Sequence, residues 1–304
     1  MNPENKAPAY LLMSADERRD RVERFKNILK RCIFCPRRCL ADRAAGKTGR
    51  CGAPRDVVVD GAGPHFGEES VLVGREGSGT IFFVYCNLAC VFCQNWTISR
   101  GVQRGELWSM EDLARAMLKL QEQGCHNINL VSPTPYLYQI TAALDLAAER
   151  GLRLPVVYNS SGYESVDILR LLCGFVDIYL PDAKYTSNRA GEKYSGVKGY
   201  FSRLKESLIE MQRQVGDLVV DDSGVARRGL LVRHLVMPGG IAGTEELARF
   251  LKEEVSARCA VNVMAQYYPA YRAAVFSELN RRVTAAEYRS AREAVRRAGL
   301  RLID

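Results

Sequence analysis

The chain has 304 residues, of which 47% are hydrophobic and 26% charged, with a formal net charge of +8. That composition excludes an intrinsically disordered or fibrous chain, and no apolar run approaches the roughly 20 residues of a membrane span. The polar opening MNPENKAPAYLLMSADERRDRVERFK lacks the apolar core of a signal peptide, so a cytoplasmic location is expected.

The ten cysteines therefore read as free thiols available to metals or catalysis, not as a disulfide framework. Much of the excess charge sits on dispersed arginines, Arg281, Arg282, Arg289, Arg292, Arg296 and Arg297, which read as a solvated helix face. Neither a membrane nor nucleic acid is the expected partner. A metal-stabilised nucleic-acid-binding protein is the alternative from another functional class.

In chain order, residues 1–30 read as a short amphipathic helix that packs through Leu11, Leu12, Val22, Phe25 and Leu29. Residues 31–79 are rich in Cys, Pro, Arg and Gly, and only DVVVDG (56–61) reads as a strand. This stretch holds Cys32-Ile-Phe-Cys35-Pro-Arg-Arg-Cys39, followed by Cys51. Four thiolates close a first coordination shell and suit either a zinc ion or an auxiliary [4Fe-4S] cluster. Either would supply folding energy that a core-poor segment lacks, and spacing does not choose between them. Residues 1–75 are accordingly read as an N-terminal helix and Cys-rich metal-binding region, and 76–304 as the main domain with its C-terminal helix.

From residue 80 the pattern alternates. Strand-like runs TIFFVY (80–85), NINLVS (127–132), PVVYN (155–159), VDIYLP (176–181), LLVRHLVM (230–237) and AVNVMAQ (260–266) are separated by helical stretches. Gly124, Gly151, Gly174 and Gly216 stand where helix C-terminal caps belong. A last helix, about Thr284 to Ala298, opens with a Thr-Ala-Ala-Glu capping box. Six βα units predict an α/β fold with a parallel sheet, an open, partial (β/α)6 barrel, with its chemistry at the carboxyl ends of the strands.

Directly after the first of these strands comes Cys86-Asn-Leu-Ala-Cys90-Val-Phe-Cys93. A structural zinc site takes four protein ligands, and a catalytic one commonly includes histidine; this loop offers three thiolates and no histidine. A [4Fe-4S] cluster on three cysteines keeps one iron without a protein ligand, free to bind something else.

The Cx3Cx2C spacing, the aromatic Phe92 before its last cysteine and the preceding strand resemble the radical S-adenosylmethionine (SAM) superfamily. GSGTIFFVYCNLACVFCQNWTIS, NINLVSPTPY, VVYNSSGY, DIYLPDAKY and VRHLVMPG together resemble its pyruvate formate-lyase-activating-enzyme-like branch, in particular a subgroup with an extra N-terminal Cys-rich region. The likeness covers about residues 32–299. It implies a [4Fe-4S] cluster on Cys86, Cys90 and Cys93, reductive cleavage of SAM to a 5′-deoxyadenosyl radical, and hydrogen abstraction from a substrate. An electron donor such as flavodoxin or ferredoxin is implied as partner. The substrate implied by the branch is a glycine of a glycyl-radical enzyme, with modification of a small molecule or another protein as the rival.

The same resemblance marks the other strand ends. Where the superfamily carries a Gly-Gly-Glu-like segment that holds the amino group of SAM, this chain has Ser132-Pro-Thr134-Pro, so Ser132 and Thr134 are the candidates for that contact. Asn159-Ser-Ser161-Gly resembles the branch's Asn-Gly segment, and Asp182-Ala-Lys184 its Asp-x-Lys, in which two-residue spacing puts both side chains on one face of an extended chain. Alternation sends Arg233 and His234 to opposite faces, leaving Arg233 to meet a carboxylate and His234 to the core. Asn262 and Gln266 share parity and point to the lumen; Tyr267, Tyr268 and Tyr271 read as packing. Glu68-Glu69 reads as a solvated turn or a substrate-directed acid pair. The Gly-rich stretch Gly74–Gly79 precedes its strand, which argues against a dinucleotide loop.

Overall fold

The computed structural model describes residues 7–100 and 105–304; the first six residues of the expected N-terminal helix lie outside them. The strands are β1 (Val57–His65), β2 (Ser78–Phe83), β3 (Glu106–Trp108), β4 (Ile128–Val131), β5 (Val156–Ser160), β6 (Ile178–Pro181), β7 (Val219–Val220), β8 (Ala226–Leu235), β9 (Ala260–Met264) and β10 (Arg301–Ile303). The helices are α1 (Ala9–Leu12), α2 (Ala15–Ile28), α3 (Ser70–Val73), α4 (Trp96–Ser99), α5 (Met110–Glu122), α6 (Leu137–Glu149), α7 (Val166–Leu172), α8 (Asn188–Ser195), α9 (Tyr200–Val215), α10 (Thr244–Phe250) and α11 (Ala285–Arg297).

All six strands expected from residue 80 onward form, and they pair in parallel in the order β2-β4-β5-β6-β8-β9. The sheet is extended at one end by β10, parallel to β9, and at the other by β1 and β3, both antiparallel. Its outermost strands, β10 and β3, are not paired to each other, so the sheet stays open. The fold is a partial α/β barrel.

Local chemistry explains the helix boundaries. Ser109 and Thr284 build full capping boxes with Asp112 and Glu287, satisfying donors at the starts of α5 and α11. Gly124, Gly151, Gly174 and Gly216 take φ of 85°, 96°, 91° and 74° as the chain leaves its helices, positive values that favour glycine. At the N-terminus, buried Arg18 pairs with Asp145 at 2.6 Å and donates to the carbonyls of Tyr10 and Met13, tying α2 to α6.

The concave face of the sheet is filled in layers. At its N-terminal end, Val157, Ile178, Leu180, Leu231 and Ala260 pack with Leu72 of α3 in a separate apolar cluster. The segment between β1 and β2 is thus a plug, held by Asn127, whose amide donates to the Leu72 carbonyl at 2.9 Å while its oxygen accepts from Ser78 at 2.7 Å. With one end plugged by apolar side chains, the open space of the half-barrel lies at the carboxyl ends of the strands.

Candidate active site

The loop after β2 carries Cys86, Cys90 and Cys93, and all three line one cleft of about 410 Å³ at the carboxyl ends of the strands. Its backbone is fastened to the end of α8, where Ala89 and Val91 donate to the carbonyls of Ser195 and Tyr194 at 2.9 and 2.8 Å. The sulfurs sit against small polar groups: Cys90 Sγ is 3.0 Å from Ser195 Oγ, Cys93 Sγ is 3.1 Å from Ser99 Oγ, and the Leu88 N–H donates to Cys86 Sγ at 3.4 Å. Burial, with help from the neighbouring Cys90, pushes the Cys86 thiol up to about 12; burial pushes Cys90 up to about 11 against the pull of Lys184. Burial holds Cys86 and Cys90 as thiols, and a cationic iron-sulfur core would offset the cost of ionising them. The donor set fits a [4Fe-4S] cluster with one iron open to the cleft.

Across the cleft, Asp182 follows β6 and takes two cations. Lys184 Nζ lies 2.7 Å from one carboxylate oxygen and Arg233 Nε 2.8 Å from the other. Burial alone would raise Asp182, but Arg233 and Lys184 together hold it below the ordinary carboxylate range. Arg233 also reaches Asn159 Oδ1 at 2.6 Å and Glu68 Oε2 at 3.2 Å. Glu68 and Glu69 are therefore not a solvated turn. The plug inserts them into the lumen, where burial raises Glu68 against the pull of Arg233, and Glu69 accepts from Asn262 at 3.0 Å. His234, on the opposite face, is buried between the Ala183 carbonyl and Thr244, and burial lowers it to about 4.

Of the residues marked in the sequence, Ser132, Asn159, Ser161, Asp182, Lys184 and Arg233 line the cleft with the three cysteines. Asn159 is buried with Nδ2 unpartnered among the described residues. Thr134 corrects the expectation that it faces SAM. Ser132 takes φ +60°, the chain enters a 3-10 turn at Thr134–Tyr136, and the Thr134 hydroxyl donates instead to buried Glu164 at 2.9 Å. Gly162 is needed where it stands, at φ +73°, because a Cβ there would come within 2.6 Å of the Asp182 carbonyl. Gln266 lines the rim, Tyr267 is buried, and Tyr268 and Tyr271 are exposed, Tyr271 stacked on Trp96 at 5.3 Å.

Cys32, Cys35, Cys39 and Cys51 gather separately, around a cavity of about 20 Å³ behind the cleft. The two cysteine groups meet at Asn87, a residue the spacing did not mark. Its carbonyl accepts from Arg37 at 2.6 Å, its side-chain oxygen accepts from Ser161 at 2.9 Å, and it lines the four-cysteine cavity. The non-glycine residues with positive φ fall beside these two groups: Arg38 and Leu40 in one, Tyr85 before the other, Ser132 and Tyr271 around the cleft. Strained backbone concentrated in this way is the mark of a functional site.

Residues 80–222 match the model of the Radical SAM superfamily. An uncharacterized protein of Methanocaldococcus jannaschii, MJ0674, is 36% identical over 292 residues, covering 93% of this chain and 79% of its own length. Among solved structures, the fold is similar to Streptococcus suis SuiB bound to S-adenosylmethionine, at 14% identity and a TM-score of 0.51 over 72% of this chain and 48% of that one. It is similar also to the FeFe-hydrogenase maturase HydG from Carboxydothermus hydrogenoformans, at 14% identity and a TM-score of 0.51 over 71% and 49%. The chain spans about half the length of these two structures, which bear on the fold alone. No described helix is long and apolar enough to cross a membrane. With its matched domain, its 36% identical relative and the open barrel that carries the Cx3Cx2C loop, the chain belongs to the radical SAM superfamily.

Proposed function

We propose that this chain is an enzyme that cleaves SAM at Cys86, Cys90 and Cys93 and takes a hydrogen atom from a substrate in the cleft below them. The observation that carries the reading is the convergence of those three thiols with the Asp182-Lys184-Arg233 network on one cleft at the strand carboxyl ends. Bound there, a [4Fe-4S] cluster would supply the electron that splits SAM into methionine and a 5′-deoxyadenosyl radical.

The chain's own residues do the positioning. Lys184 and Arg233 are held by Asp182 and Glu68, so the charged floor does not have to reorganise when a ligand arrives. Asn159 offers its unpartnered Nδ2, and Ser132 and Ser161 stand at neighbouring strand ends for the polar groups of SAM. Phe82, Leu235 and Met264 contribute apolar wall to the same cleft, which keeps water from a reactive species.

For the substrate, the likeness to the pyruvate formate-lyase-activating-enzyme-like branch supports a backbone glycine of a glycyl-radical enzyme, with flavodoxin or ferredoxin as electron source. Anaerobic incubation of the reconstituted protein with dithionite and SAM tests the first step, and should give 5′-deoxyadenosine and methionine. A loaded cluster that yields neither overturns it. Incubation with candidate glycyl-radical enzymes, followed by electron paramagnetic resonance, tests the second. A glycyl signal supports activation, and silence across the organism's full set overturns it.

A further inference from the structure

The chain's positive charge is not spread evenly. Between Lys30 and Arg50 stand seven lysines and arginines against one acid, Asp42, a net of +6 in 21 residues where the whole chain carries +8. The C-terminal arginines are largely neutralised: Arg281, Arg292, Arg296 and Arg297 each pair with an acid. In the N-terminal stretch the described residues form no ion pair, the nearest along the chain being Lys26 with Glu23 and Arg115 with Asp112. Asp42 accepts from the Ala45 N–H instead.

Arg43 is buried, its donors on the Pro54 and Pro135 carbonyls and its guanidinium over the rings of Phe34 and Tyr136. Lys30, Arg31, Arg38, Lys47 and Arg50 are exposed and give this face its field. Asp167 and Glu206, which share a groove with Arg38, are engaged by Arg170 and Arg203. Like charges gathered on one face repel each other, and an acidic partner removes that repulsion.

The same face has a second, independent feature. Arg31 and Arg38 line a groove of about 370 Å³ together with Asn27, Ile28, Ile33 and Leu40. Leu40 is 45% exposed and packs into neither apolar cluster. Its φ is +57° and that of Arg38 is +40°. A side chain crowds its own backbone in that region, where glycine is at ease. The turn is closed by main-chain bonds, from the Arg38 N–H to the Cys35 carbonyl and from the Leu40 N–H to the Cys32 carbonyl, both 3.0 Å. Glycine would make them equally well. The chain thus keeps an exposed leucine and an exposed arginine where the backbone favours glycine, and neither side chain serves the turn.

Apolar side chains bordered by charged ones are the anatomy of a protein–protein interface. The groove has no aromatic side chain for a base to stack on, which favours protein over single-stranded nucleic acid. Its position suits a particular partner. Arg37 Nε donates to the carbonyl of Asn87, next to Cys86, at 2.6 Å, which joins this segment to the thiol loop. None of the groove residues lines the cleft, so a protein seated here leaves the cleft free for SAM and substrate.

We propose that this basic surface, with Leu40 among its arginines, docks an acidic electron-transfer protein of the flavodoxin or ferredoxin kind, which passes one electron to the centre on Cys86, Cys90 and Cys93. The proposal rests on the reading of that centre as the site of SAM cleavage.

Isothermal titration of the same organism's flavodoxin and ferredoxin into the anaerobically reconstituted chain reads docking directly. Formation of 5′-deoxyadenosine driven by the reduced donor, beside that driven by dithionite, reads its use. The wild-type chain should bind at least one donor, with affinity falling as salt is raised. Arg31→Glu combined with Arg38→Glu should weaken that binding by about tenfold or more. It should slow the donor-driven reaction below saturation and leave the dithionite-driven rate at the wild-type value. Leu40→Gly should weaken binding about fivefold without lowering the melting temperature, since glycine suits that φ. Binding of neither donor overturns the proposal, and so does unchanged affinity in the double variant. Equal loss of the dithionite-driven reaction also overturns it, because that marks a structural role. Labelled transfer RNA bound more tightly than either donor, and released by the same double substitution, overturns it in favour of nucleic acid. A wild-type chain that binds the donor as expected, yet cleaves no SAM with dithionite, supports docking and overturns the reading of the cleft.

Discussion

The two cysteine groups lie on either side of Asn87, and their surroundings differ in kind. Cys86, Cys90 and Cys93 face a cleft of about 410 Å³ whose walls carry acids, bases and amides. Cys32, Cys35, Cys39 and Cys51 enclose about 20 Å³ among arginines and packed side chains. Three donors beside open space suit a centre that must bind a reactant, and four donors around a small cavity suit one that must not. The contrast teaches that coordination number and the volume in front of the sulfurs say more about a thiolate site than the cysteine spacing does.

The largest expected effect breaks the contrast at the open site. Cys90→Ala should reduce 5′-deoxyadenosine formation to background, as read by product analysis. Substantial remaining cleavage would mean that the four-cysteine group does the chemistry. Next comes the charged floor. Asp182→Asn leaves Lys184 and Arg233 buried without their shared carboxylate, which should cost about 3 kcal/mol of stability and weaken SAM binding. Thermal melting and titration with SAM would measure the two, and a variant with unchanged affinity would remove this network from the site.

The parallel strands and most helices were legible because each is written in a local period, and both cysteine groups because their spacing is local. What escaped was set by distant partners. Glu68 looks like a turn residue until Arg233, 165 positions later, is seen beside it. Arg43 has no sequence signature, since its burial comes from Pro54, Pro135 and two rings. Thr134 misled because a positive φ at Ser132 redirects the chain within two residues. β3 and β10, three residues each, are too short to show alternation; edge pairing makes them strands.

A smaller effect probes a buried acid next to Thr134, which lines the four-cysteine cavity. Glu164 is buried beside Thr134 and Tyr158, and burial raises it from 4.5 to about 8 although hydroxyls from Thr134, Tyr158 and Ser160 oppose the shift. The folded protein thus keeps its proton where the unfolded chain has lost it, so stability falls as pH rises from 4.5 through about 8. His234, lowered to about 4, has the opposite sign and loses its contribution only as pH falls below 6.5. Between about pH 7 and 8 the Glu164 contribution should fall by about 1 kcal/mol. Glu164→Gln should flatten this decline in denaturant titrations across that range, and an unchanged slope would place the titration elsewhere.

The smallest effect sharpens the comparison by touching neither site. Thr284 accepts from the Glu287 N–H at 3.2 Å, and the Glu287 carboxylate accepts in return from the Thr284 N–H at 2.8 Å, while also binding Arg281 at 2.7 Å and the Gly239 N–H at 2.7 Å. Thr284→Ala removes one cap acceptor at the start of α11 together with the hydroxyl's bond to the Glu287 carboxylate at 3.0 Å, and leaves the bonds of Glu287 to Arg281 and Gly239 in place, so it should cost about 1 kcal/mol. Iron content and 5′-deoxyadenosine yield should stay at wild-type values. Were iron lost from Cys86, Cys90 and Cys93 at this modest cost, loading would follow global stability instead of the local arrangement of thiols, and the contrast between open and closed sites would lose its physical basis. Chemical denaturation paired with iron analysis on the same preparation separates the two outcomes.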